Sequence, residues 1–308
     1  MKAFWLAFLL ACSETVPPPP PPPVDWASLD APEPRDAGLP RATAKERHVA
    51  DAYAAAFATT GFRGLVPLLA EEVRMSFGSK TVLGRDRIVA FHETLFGALE
   101  GRSMSIERIW MTDARQAFAW VLSGTRGKDT VSFKGLTLAW TKDDGSVSDL
   151  HVYFDETLPP AQKPSGPPVV VEQINPADAA NVTGLRAMID ALEDDKEAAY
   201  LAAVTDDVEI DTLASPPVHG KEAVRAYFQT MRRSIGQLDT LAAGGFGAGD
   251  WAVLEYSISG VQLAPMEHVP FTRGRGFRVH IADVAELHGG KIARLMRYDD
   301  PAELTTQQ

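Results

Sequence analysis

The chain has 308 residues, of which 45% are hydrophobic and 23% charged: a soluble globular balance, and more length than one average domain needs. A formal net charge of −11 argues against nucleic acid or an anionic membrane surface as an electrostatic partner. The single cysteine, Cys12, excludes a disulfide framework and a cysteine-built metal site.

Met1 and Lys2 give a short positive start, Ala3 to Ala11 is apolar, and Leu9-Leu10-Ala11-Cys12 follows. That apolar run is too short to span a bilayer and has the plan of a signal-peptide core. The four residues ending at Cys12 resemble the lipobox of bacterial lipoproteins. The resemblance implies cleavage after residue 11 and a lipid on the Cys12 thiol, hence a bacterial envelope protein, periplasmic or outer-membrane-facing, held to the membrane by its lipid alone. Ordinary signal cleavage or a miscalled start is the other reading. Residues 12–42 then form a tether with seven consecutive prolines, Pro17 to Pro23, stiff and extended at about 3.1 Å per residue.

From Thr43 the pattern turns helical, Val49, Tyr53, Ala56 and Phe57 sharing a face, with a capping box from Thr43 to Glu46. A second short helix is expected over 62–70, a strand over 73–77, a helix over 85–99 opened by Gly84, then strands over 104–111, 117–123, 131–140 and 147–155. Residues 159–176 carry six prolines and read as a linker between domains 43–158 and 177–304. After the linker the order returns: helix 177–193, short helix 197–204, strand 208–213, helix 221–234 opened by Gly220, and strands starting near 238, 251, 277 and 291. Gly244 to Gly249, GGFGAG, falls between two of these strands and reads as a hairpin connection. Gly84 and Gly220 lie 136 apart, as do Ser123-Gly124 and Ser259-Gly260, whereas Tyr153 and Tyr298, like Asp155 and Asp300, lie 145 apart. Offsets that grow only where a loop lengthens mark a duplicated domain.

The helix openings LGRDRIVAFHETLF and HGKEAVRAYFQTM, the segments SGTRGKDTVSFKG and PFTRGRGFRV, and the ending GGKIARLMRYDD resemble the SnoaL-like polyketide cyclases and ester cyclases of the nuclear transport factor 2-like superfamily. HVYFD is similar to the closing strand of limonene epoxide hydrolases. The resemblance implies an α+β fold of two tandem cone-shaped domains, each a curved antiparallel sheet wrapped around helices with an apolar pocket between. It also implies that the two sheets can pair within the chain, and that enzymatic members use a pocket carboxylate, with an arginine in the epoxide hydrolases. Many members only bind.

Asp300 and Asp155 match the family's closing-strand aspartate, as general acid/base or as turn caps. Asp283 stands in the otherwise apolar row Phe277, Val279, Ile281, Ala285 and Leu287. It is either catalytic or ion-paired with Arg294 or Arg297 on the next strand. Tyr256, Tyr298, Trp251 and Phe228 are candidate ligand walls or plain core. His280 joins the candidate pocket, although its parity sets it on the face opposite Asp283. Arg126 stands where the cyclase-like motif has His. No metal or cofactor motif is present: the seven histidines are scattered, without metal-ligand spacing. The expectation is a protein that holds a small hydrophobic molecule or an envelope protein partner; a cyclase, isomerase or epoxide hydrolase using a pocket Asp is the alternative.

Overall fold

A computed structural model describes residues 48–78, 80–154, 168–173, 175–212, 215–265 and 272–299. The expectations for Cys12, the tether, the capping box, Asp155 and Asp300 lie outside these residues.

Domain 1 runs α1 (His48–Phe57), a 3-10 turn (Thr60–Leu65), β1 (Leu69–Phe77), β2 (Lys80–Leu83), α2 (Arg85–Phe96), β3 (Glu100–Met111), β4 (Arg115–Arg126), β5 (Asp129–Thr141) and β6 (Val147–Phe154). The helix expected over 62–70 is this turn instead. Gly61 and Phe62 sit at φ 63° and 52°, which breaks a helical run, and Phe62 and Leu65 still bury in the core. Domain 2 opens with a 3-10 turn (Pro176–Ala179) and continues with α3 (Ala180–Glu193), α4 (Glu197–Ala202), β8 (Val204–Thr212), β9 (Ser215–His219), α5 (Lys221–Ser234), β10 (Ile235–Ala248), β11 (Trp251–Gln262), β12 (Gly276–His288) and β13 (Lys291–Asp299).

Sheet order repeats. Domain 1 is ordered β2-β1-β6-β5-β4-β3, and domain 2, read the same way, β9-β8-β13-β12-β11-β10. Neighbours are antiparallel except β1 with β6 and β8 with β13. The two helix openings match in detail. Gly84 and Gly220 have φ of 89° and 78°, which L side chains rarely adopt. Each donates its N–H back to the first long strand, to Val73 O at 2.8 Å and Val208 O at 2.7 Å. Within the Pro-rich segment, β7 (Val169–Glu172) pairs parallel with β3 and extends the first sheet.

The GGFGAG stretch is not a loop: Gly244 to Ala248 belong to β10, and the turn falls at Gly249 and Asp250. Glycine is there for proximity. A Cβ on Gly247 would lie 1.9 Å from the Asp178 carbonyl oxygen, so only glycine lets the first turn of domain 2 rest on that strand.

Each sheet buries one face against its own helices, giving one apolar core per domain. The opposite faces meet. A third apolar cluster joins Trp110, Leu136, Leu138 and Tyr153 of domain 1 to Phe246, Trp251, Val284 and Tyr298 of domain 2. The layers are therefore helices, sheet, sheet, helices.

Candidate functional site

Inside the domain 2 cone, three cross-strand positions place a polar group where the sequence pattern alone calls for apolar side chains. Asp283 on β12 faces Arg297 on β13 in register, and Tyr256 reaches them from β11. Arg297 Nε donates to Asp283 Oδ1 at 2.9 Å and Nη2 to Oδ2 at 2.8 Å, a two-pronged ion pair. The Tyr256 hydroxyl donates to Oδ2 at 2.8 Å and accepts from Arg297 Nη2 at 2.8 Å. On α5 the Tyr227 hydroxyl accepts from Arg297 Nη1 at 2.9 Å. Asp283 is 0%, Tyr256 2% and Arg297 5% exposed. Burial pulls the Arg297 guanidinium down, but Asp283, Tyr256 and Tyr227 outweigh it and hold its pKa well above the usual arginine range. Burial pushes the Tyr256 phenol well up, against the pull of Arg297.

Three donors hold the Asp283 carboxylate, two on Oδ2 and one on Oδ1, which leaves one acceptor position on Oδ1. The free group is next door. Tyr200 on α4 is fully buried, and its hydroxyl has no partner among the described residues. Burial raises its pKa, with Tyr227, Arg297 and Asp283 close enough to act on it. Phe228 packs on its ring at 5.0 Å.

The equivalent positions in domain 1 are neutral. Register matches the row Phe118–Thr137–Val152 with Leu254–Asp283–Arg297, and Trp120 with Tyr256. Trp120 Nε1 donates to Thr137 Oγ1 at 2.9 Å, a chargeless version of the Tyr256–Asp283 contact. The rest of that cone is aromatic packing, including Phe57 on Phe62 at 5.0 Å and Phe96 on Phe154 at 5.2 Å. Buried in it, His92 stands between Ile88 O and the Tyr53 hydroxyl, each at 2.8 Å. A carbonyl only accepts, so the ring proton sits on Nδ1 and Tyr53 donates to Nε2.

The sequence expectations thus divide. Asp283, Tyr256 and Phe228 come together inside domain 2, and of the two candidate partners of Asp283 it is Arg297 that pairs with it. Trp251 and Tyr298 do not line the cone, because their side chains face domain 1. His280 sits on that outer parity too, opposite Ser257. Asp155 and Asp300 cannot be placed in either site from the described residues. Sequence reading missed Tyr227 and Tyr200. The signal for the cluster was the repeat itself, since aligning Asp283 with Thr137 and Arg297 with Val152 shows charge entering one copy only.

A second polar region lies between the domains. Glu255 of β11, 2% exposed, accepts from the Tyr153 hydroxyl and from His151 Nδ1, both at 2.7 Å. Arg115 Nη1 donates to Gly245 O at 2.7 Å. Arg108 lies 4.4 Å from the Trp251 ring centroid, and Trp110 meets Trp251 at 5.4 Å. Alongside is a cavity of about 200 Å³ whose lining includes Glu107, Arg108, Trp110, Lys134, Arg294 and Tyr298. Among the described residues, no group of three or more His, Cys, Asp or Glu is disposed to hold a metal ion.

Two helix-backed curved sheets with a polar group set inside one cone define a tandem α+β cone protein. The model of the SnoaL-like domain matches residues 50–150 and again 185–295, and the chain belongs to the SnoaL-like family in both halves. No curated protein matches it. Among solved structures it is similar to a candidate SnoaL-like polyketide cyclase from Jannaschia sp. CCS1, 18% identical over 43% of this chain and 94% of that one, with a TM-score of 0.39. A protein with a ketosteroid isomerase-like fold from Catenulispora acidiphila DSM 44928, solved with trimethylamine, is 17% identical over 40% and 90%, TM-score 0.36. An LEH-like epoxide hydrolase from M. tuberculosis is 15% identical over 41% and 87%, TM-score 0.35. Each match covers less than half of this chain.

Proposed function

We propose that domain 2 binds a small apolar molecule through one hydrogen-bonding oxygen, without turning it over, and that domain 1 is its scaffold. The observation that carries this is the division of labour in the domain 2 cone. Asp283 is held by three donors from Arg297 and Tyr256, while the Tyr200 hydroxyl is buried with its donor unused. A buried hydroxyl without a partner costs free energy that a ligand carbonyl would return. Acetophenone and ethylbenzene, which differ in that oxygen, test it. Acetophenone is expected to bind more tightly, and Tyr200→Phe to weaken it roughly tenfold, the worth of one hydrogen bond, leaving ethylbenzene unchanged. Equal loss for both ligands would sink the reading.

A second reading rests on the same cluster. Asp283 with Arg297 is a carboxylate–arginine pair, and the family includes epoxide hydrolases. Diol formation from styrene oxide that disappears in Asp283→Asn would favour that enzyme over the binding protein.

We further propose that a lipid on Cys12 holds the protein at the bacterial envelope, with residues 12–42 as spacer. The support is the sequence from Met1 to Cys12. Cys12→Ser is expected to move the protein expressed in a bacterium from the membrane to the soluble fraction; an unchanged membrane fraction would count against the anchor.

A further inference from the structure

The cavity between the domains has a counterpart, because the interface is built from two copies of one sheet. Register sets the row Ala119–Leu136–Tyr153 of domain 1 equivalent to Glu255–Ala282–Tyr298 of domain 2. On one side of the interface Tyr153 meets the Glu255 carboxylate and donates to it. On the other, Tyr298 and Ala119 line the cavity of about 200 Å³. Where one copy carries a carboxylate, the other carries a methyl group and leaves a space.

That space brings three basic side chains near Tyr298. A register shift in β3 between Ile106 and Arg108 marks a β-bulge at Glu107, which turns both Glu107 and Arg108 toward the cavity. Arg108, Lys134 and Arg294 share the lining with Glu107 and Asp211, and Arg294 also pairs with Glu209 at 3.8 Å. Arg297 also touches it, but its charge is matched by Asp283. Two of the lining residues carry a buried donor without a partner among the described residues, Trp110 Nε1 and Arg294 Nε. Trp110 and Met296 offer apolar wall. A volume of about 200 Å³ suits a small molecule.

We propose that this cavity binds a small monocarboxylate, whose carboxylate takes opposite Tyr298 the place that the Glu255 side chain takes opposite Tyr153. The site shares Arg297 with the polar cluster of the domain 2 cone and none of that cluster's other residues.

Benzoate, with benzamide as its neutral counterpart, tests it by titration calorimetry on the full chain. Benzoate is expected to bind at least tenfold more tightly than benzamide. Ala119→Glu, which supplies an internal carboxylate at the position equivalent to Glu255, should reduce benzoate affinity at least tenfold while keeping the unfolding midpoint at or above that of the parent. Arg294→Met, a second variant at a half-buried position, should cause a similar loss. Tyr200→Phe should leave benzoate affinity unchanged, which separates this site from the one inside the cone. Equal binding of benzoate and benzamide, or undiminished benzoate affinity in a folded Ala119→Glu protein, would overturn the proposal.

Discussion

Replacing Arg297 by Met is expected to cost about 3–5 kcal/mol of folding stability, the usual consequence of removing one partner of a buried ion pair. The reason is what stays behind. Asp283 has no exposure, and without the guanidinium only the Tyr256 hydroxyl would still donate to its carboxylate. Asp283→Leu should cost a comparable amount, by stranding the cation instead. The double variant Asp283→Leu/Arg297→Met should recover most of the loss, since apolar groups of similar volume often replace a buried pair at little net cost. Arg297→Lys should fall between, because a lysine ammonium cannot make the two-pronged contact. Denaturant titration of the four proteins measures the coupling. A single Arg297→Met variant within about 1 kcal/mol of the parent would mean that water already reaches Asp283. The buried, paired carboxylate on which the binding reading rests would then be gone.

How much of this was legible in the sequence follows from the physics of each element. The helix over Lys221–Ser234 and the repeated order of elements could be read, because glycine openings and 3.6-residue spacing are local signals. Asp283 stood out for the same reason, as a charge breaking an alternating apolar row, and its ion pair with Arg297 was one of the two partners that strand adjacency offered. The faces of Trp251 and Tyr298 could not be read. β11 is buried along both faces through Ser257 and Ile258, because the second domain covers the side that is normally wet, so alternation no longer says which side is the cone. Tyr200 and Tyr227 sit on helices among apolar neighbours, where a tyrosine reads as ordinary core. β7 lies in a Pro-rich segment, and β10 ends in glycines that local propensity assigns to a loop. Contacts distant in sequence made strands of both.

Between pH 6.5 and pH 4, His92 is expected to take about 3 kcal/mol from the stability of this protein. Burial among the rings of Tyr53, Phe57, Phe62 and Phe96 lowers its pKa to about 4, against a smaller upward pull from the hydrogen bond to Ile88. The ordinary value, near 6.5, applies in the unfolded chain. A folded pKa below the unfolded one means that the unfolded state binds the proton first on acidification. The contribution is therefore complete above pH 6.5 and is lost as pH falls through 4, at about 1.4 kcal/mol per unit. His92→Gln removes the titration. The stability difference between parent and variant should move in the variant's favour by about 3 kcal/mol from pH 7 to pH 4, read from denaturant midpoints at each pH. A difference that stays flat would show that the ring takes up a proton inside the domain 1 cone without cost. Only an interior open to water allows that, and an open domain 1 would compete with domain 2 as the place where a ligand is held.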